Sequence, residues 1–150
     1  MSNIKLNPIF KTVCIASDHA GYYLKEDIKN HLIDKNISVF DIGPYNDQSV
    51  DYPDFAHAVS QSIEQGDTNM GVLICGTGIG MTMSANRHKG IRAALCKDGN
   101  ACEMARKHND ANVLCIGARN TNPAILFDMV GCFFNTEFEG GRHQKRIEKI

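Results

Sequence analysis

The sequence predicts a three-layer α/β fold: a five-stranded parallel sheet covered by helices on both faces, followed by a helical tail. Two observations carry this expectation. Short apolar runs alternate five times with longer segments of helical spacing. The runs are continuous instead of alternating in polarity, as strands buried on both faces must be. A chain of 150 residues, 43% hydrophobic, has the size of one domain with one sizeable core.

"TVCIA" from Thr12 forms the first strand and leads into a helix whose Tyr23, Leu24, Ile28, His31, Leu32 and Lys35 repeat at helical spacing. "ISVFDIG" is the second strand. Residues 54–65 form the second helix, with Phe55, Ala58, Val59 and Ile63 inward and Pro53 near its first turn. "MGVLIC" is the third strand, with a helix from about Gly78; "IRAALC" is the fourth, with a helix over residues 100–108. "NVLCIG" is the fifth, followed by a helix over residues 123–134, and the polar, basic tail "EFEGGRHQKRIEKI" forms a last helix. Residues 1–11 read as an N-terminal extension outside the core, and residues 12–150 as the single domain.

In such Rossmann-like sheets ligands bind beyond the carboxyl ends of the strands, where strand order reverses. With the common order 2-1-3-4-5 that point lies between strands one and three. The loops that follow those strands are "SDHAG" (17–21) and "CGTGIG" (75–80), the two most unusual in the chain.

Sixteen Lys and Arg balance seventeen Asp and Glu, so no long-range field draws in nucleic acid or an anionic membrane, and a small molecule is the expected partner. No segment has the apolar length of a membrane span, and "MSNIKLNPIF" has the pattern of neither a signal nor a transit peptide, so the expected location is the cytoplasm. The six cysteines show no C-x-x-C and no zinc spacing, and each reads first as a small buried hydrophobe.

Gly76, Gly78 and Gly80 place Met81 where a dinucleotide fingerprint requires its third glycine, although Asp98 after the next strand stands where a ribose-binding acid would. The same glycines can instead turn backbone N–H groups at a helix start toward a ligand oxygen, an anion cradle. Cys75, just before them, would share a field that favours the thiolate, the form that acts as base or nucleophile. The plainer reading is a buried thiol and glycines chosen for packing, and both remain open at this level. Asp18 serves equally as a helix cap, and His19 as a surface residue or, with Asp18, as a polar pair facing the glycine loop. His108 ends a helix, where it complements the dipole or, if it reaches the carboxyl rim, moves protons. Arg142 and Arg146, four apart, share a helix face able to clamp a phosphate. His31, His57 and His88 are assigned no chemistry.

"SDHAGYYLK", "DYPDFA", "GVLICGTGIGMTMSANR", "GIRAALC", "ARKHNDANVLCIGAR" and "EGGRHQKR" resemble, in order and spacing, the type B ribose-5-phosphate isomerases within the wider ribose, allose and galactose 6-phosphate isomerase family. The resemblance implies an aldose-ketose isomerase interconverting D-ribose 5-phosphate and D-ribulose 5-phosphate, with allose or galactose 6-phosphate as alternative substrates. A non-catalytic nucleotide-binding module is the alternative of a different class. By resemblance Cys75 moves a proton between C2 and C1, while Gly76, Thr77, Gly78, Ile79 and Gly80 hold the enediolate oxygen. His108, with Asn109 alongside, helps open the ring. Asp18 and His19 bind sugar hydroxyls and assist that step, Tyr52 lines the pocket, and Arg119, Arg142 and Arg146 contact phosphate. The resemblance further implies no metal or cofactor, and a homodimer or homotetramer with each site built from two chains, His108 and the tail arginines serving across the interface.

Overall fold

Strand β1 (Thr12–Ser17) pairs with β2 (Ser38–Gly43) on one side and β3 (Met70–Cys75) on the other, and β3 pairs with β5 (Val113–Gly117), which carries β4 (Ala93–Leu95) at the far edge. All four pairings are parallel, as uninterrupted apolar strands require. This computed structural model describes Phe10 and residues 12–150.

The strand order is 2-1-3-5-4, which corrects the expected 2-1-3-4-5. The reason is burial. All five residues of β5 are buried, so it takes an interior position, whereas β4 has three residues, with Leu95 44% exposed, and suits an edge. The reversal between β1 and β3, where the site is expected, is common to both orders.

Helices α1 (Tyr22–Asp34), α4 (Gly99–Asn109) and α5 (Leu126–Asn135) cover one face of the sheet, and α2 (Tyr52–Glu64) and α3 (Ile79–Ala85) the other. The two sides of β3 show the division: Val72 and Ile74 join Ile28, Leu32 and Phe133 in one core, while Leu73 and Cys75 join Val59 and Met81 in the second. The tail forms a 3-10 turn (Gly141–His143) and the single helical turn α6 (Gln144–Ile147), shorter than the helix expected there. Among the described residues no helix is long and apolar enough to cross a membrane.

Two further expectations change. The expected extension lies outside the described residues except for Phe10, which is only 7% exposed and belongs to the core. Its ring meets Phe134 edge to face at 6.4 Å and carries the Arg106 guanidinium 5.2 Å above it, because a large aromatic gains more from this cleft than from water. In α1 the buried stripe is Lys25, Ile28 and Leu32, while Tyr23 is 68% exposed. Two carboxylates receive the Lys25 ammonium, which lets the lysine occupy an inward position that periodicity assigns to apolar residues.

Candidate active site

The carboxyl ends of β1 and β3 bring the two predicted loops into contact. The Asp18 amide donates to the Ile74 carbonyl at 3.0 Å, and Asp18 Oδ1 accepts the Gly21 amide at 3.1 Å, so this buried carboxylate caps the short turn that opens α1. His19 follows on that turn, and its Nδ1 accepts the Val50 amide at 3.2 Å. A ring nitrogen that accepts carries no proton, so neutral His19 holds its hydrogen on Nε2 and presents a donor there.

Cys75 ends β3, and the Gly78 amide donates to its Sγ at 3.1 Å. Gly78 has φ 77°, the left-handed region that turns the chain sharply enough to aim this amide back at the sulfur. The loop then enters α3, where the Thr82 hydroxyl and amide both bond the Gly78 carbonyl. Tyr52, the first residue of α2, lies on the loop: a Cβ at Gly80 would stand 2.6 Å from its ring. Arg119 flanks the other side, its amide donating to the Gly76 carbonyl at 2.9 Å and its guanidinium lying 2.5 Å from where a Gly76 Cβ would be. Thr77 and Ile79 are exposed, and the Thr77 hydroxyl accepts the Ile79 amide. Beside them opens a cavity of about 330 Å³, bounded also by Leu95, Lys97 and Asn120. A thiol, an amide-rich loop, an arginine, a histidine donor and a carboxylate thus share one rim.

His108, Asn109, Arg142 and Arg146 stand elsewhere. Helices between parallel strands run back to the amino edge, and α4 ends there: Asn112, three residues past its end, accepts the Gly71 amide through its carbonyl at 2.9 Å, at the start of β3. A strand rise of about 3.3 Å per residue separates Gly71 from Cys75 by about 13 Å along the strand. The tail lies at the same amino edge, since the Glu139 amide donates to the Lys107 carbonyl and the His143 ring stacks on His108 at 4.5 Å. Arg142 and Arg146 are exposed there, and Asn109 borders a second cavity of about 290 Å³. The predicted residues therefore form two groups at opposite edges of the sheet.

His108, Glu139 and His143 each offer a ligand atom, all within 4.8 Å of one another. The two rings lie within 17° of parallel, so their in-plane lone pairs do not converge on one point, and the arrangement is a stack. Asp98, the other half of the dinucleotide reading, is an N-cap: its Oδ1 accepts the Ala101 amide at 2.8 Å.

The profile of the Ribose/Galactose Isomerase family matches residues 13–150. The chain belongs to this family. It is 37% identical over 140 residues to ribose-5-phosphate isomerase B of Escherichia coli, covering 93% of this chain and 94% of that one. Among solved structures it is similar to a ribose 5-phosphate isomerase of Thermotoga maritima, with 48% identity and a TM-score of 0.90, covering 92% and 95% of the two chains. It also resembles ribose-5-phosphate isomerase B of Mycoplasma genitalium with bound ribulose-5-phosphate, at 45% identity and a TM-score of 0.87, covering 92% of each chain.

Three of the other thiols behave as packing groups in this family member. Burial pushes the Cys14 and Cys132 thiols up, and that of Cys115 up to about 12. Near the rim, sequence reasoning missed the Lys25–Asp41 pair and the Val50 amide. Periodicity carries no signal for a backbone donor.

Proposed function

We propose that this chain interconverts D-ribose 5-phosphate and D-ribulose 5-phosphate. The observation that carries the reading is the Cys75 thiol, 3.1 Å from the Gly78 amide, on a rim that also holds Tyr52, Arg119, Asp18 and His19. Moving hydrogen between adjacent carbons calls for one base within reach of both, donors for the oxygens and a fixed phosphate.

After ring opening, Cys75 as thiolate takes the proton from C2, and the electron pair moves onto the C1 carbonyl oxygen to give an enediolate. Amides of residues 76–80 stabilise that charge, each well-placed donor contributing about 3 to 4 kcal/mol. O1 is protonated, O2 gives up its proton to become the ketone, and Cys75 returns its proton to C1. His19 Nε2 and Asp18 hold sugar hydroxyls, and Tyr52 bounds the pocket.

His108 and the tail arginines act from a second copy of the chain. The two groups sit at opposite edges of one sheet, so a dimer that sets one copy's amino edge against the other's carboxyl edge completes the site. His108 then serves as ring-opening acid with Asn109 beside it, while Arg142 and Arg146 join Arg119 around the phosphate. A single domain that takes in Phe10 as well as residues 12–150, the dimeric or tetrameric state and catalysis without metal or cofactor belong to the same reading, as does a cytoplasmic setting.

The test is ketose formation from ribose 5-phosphate in buffer containing a chelator. Turnover that disappears in Cys75→Ala, with folding and sugar-phosphate binding kept, supports the proposal; no turnover by the unaltered protein defeats it. The family's name includes galactose, which favours hexose 6-phosphates as the second reading, and a higher kcat/KM for allose or galactose 6-phosphate would establish it.

A further inference from the structure

Lys25 is wholly buried, and its ammonium bonds Glu26 Oε1 at 2.7 Å and both Asp41 carboxylate oxygens at 2.8 Å. Lys29 adds a bond to Asp41 Oδ2 at 2.9 Å. Burial alone would push the Asp41 carboxyl up, but the bonds from Lys25 and Lys29 outweigh it and hold the group below the usual carboxylate range. The anchored residue then grips the segment that follows. Asp41 Oδ1 accepts the Gly43 amide at 3.0 Å, and its carbonyl accepts the Tyr45 hydroxyl at 3.0 Å. Further along, the exposed Tyr23 hydroxyl donates to Asp47 at 3.0 Å. The segment ends where the Val50 amide meets His19 Nδ1, two residues before Tyr52 opens α2.

A fully buried lysine is costly to keep unless its charge is paired and hydrogen-bonded. Here the bonds that Asp41 accepts from Gly43 and Tyr45 lead into the segment whose end fixes the His19 ring. We propose that residues 43–50 are a positioning loop: Lys25 and Asp41 pin its start, and the Val50 amide at its end orients His19 so that Nε2–H is the donor offered to the sugar phosphate. Lys25, Asp41 and Val50 are positioning residues that act through His19. The proposal rests on the proposed function for the identity of the ligand, while the state of the His19 ring is independent of it.

Val50→Pro removes the one N–H that His19 accepts, and Val50→Ala trims the side chain but keeps that N–H. In the unaltered protein, ¹⁵N spectra should show His19 with a protonated Nε2 and a bare, accepting Nδ1. Val50→Ala should preserve that pattern and the KM for ribose 5-phosphate. Val50→Pro should average the two nitrogens and raise KM about tenfold, with kcat changed much less, as expected for a lost bond common to ground and transition states. Asp41→Asn should shift the His19 signals and KM in the same direction, in protein shown folded by its amide spectrum. Unchanged His19 signals and KM in Val50→Pro overturn the proposal. In a folded Asp41→Asn the same result overturns the role of the anchor. A protein inactive on ribose 5-phosphate would defeat the proposed function and still leave the His19 spectra to decide the positioning claim.

Discussion

Replacing Gly78 by alanine tests the loop at its tightest point. The residue has φ 77°, where an L side chain costs about 1 to 2 kcal/mol. A Cβ there would also stand 2.5 Å from Leu95 Cδ1 and 3.0 Å from both the Gly117 nitrogen and the Ile116 carbonyl carbon. The leucine tip can yield, but the β5 backbone cannot, and overpacking of this kind costs about 1 to 3 kcal/mol. Together these give a loss of roughly 2 to 5 kcal/mol, or about 10 °C in Tm for a chain of this size. Any shift of Gly78 also moves the amide bonded to Cys75 Sγ, so turnover should fall by about a hundredfold, as for loss of one oxyanion donor. Gly66 is the control. Its φ is 82° and nothing lies within 4 Å of an added Cβ, so Gly66→Ala should show the conformational strain alone, about 1 to 2 kcal/mol, with full activity. Thermal denaturation and ketose formation measured on both variants decide the matter. If Gly78→Ala matches Gly66→Ala in Tm and keeps its activity, the reasoning about this loop is wrong.

Phe10→Ala should cost about 3 kcal/mol or more in urea denaturation, because it empties a buried aromatic site; a loss under about 0.5 kcal/mol would mean that Phe10 is not core. Stability should fall steadily on acidification. Burial, foremost, holds the His31 and His143 imidazoles below their ordinary range, so their share is present at neutral pH and is lost as pH falls below about 6.5. For Asp41 and Glu26 burial acts upward, but bonds from Lys25 and Lys29 outweigh it and hold the carboxyls low, so their share is lost below about pH 4. Tm measured from pH 7 to pH 3 should show both declines, the second smaller in Asp41→Asn, and a Tm that rises on acidification contradicts the assignment.

What the sequence made legible was local. An uninterrupted apolar run such as "MGVLIC" reports two covered faces, and a thiol followed by three spaced glycines reports a tight turn at a strand end, because both patterns are fixed by neighbouring residues. Strand order is not encoded that way. "IRAALC" and "NVLCIG" look alike as strings, and only the three-residue length and exposed Leu95 of the first send it to the edge. Lys25 defeats the periodicity argument because Asp41, which takes its ammonium on both carboxylate oxygens, lies sixteen residues away. The place of His108 is legible on the same terms: a helix that leaves the carboxyl edge and returns to a parallel strand must end at the amino edge, away from Cys75, in keeping with a residue that the resemblance sets across an interface. That placement turns the pairing of Cys75 with His108 into a question about two chains.

Co-expression of Cys75→Ala and His108→Ala variants carrying different tags tests this most directly. Each variant alone should be inactive. If one copy supplies Cys75 and the other His108, a mixed dimer holds one intact site, and random pairing restores about one quarter of unaltered activity. The purified mixed dimer should reach about half. A mixed dimer as inactive as its parents would contradict a site shared between two chains.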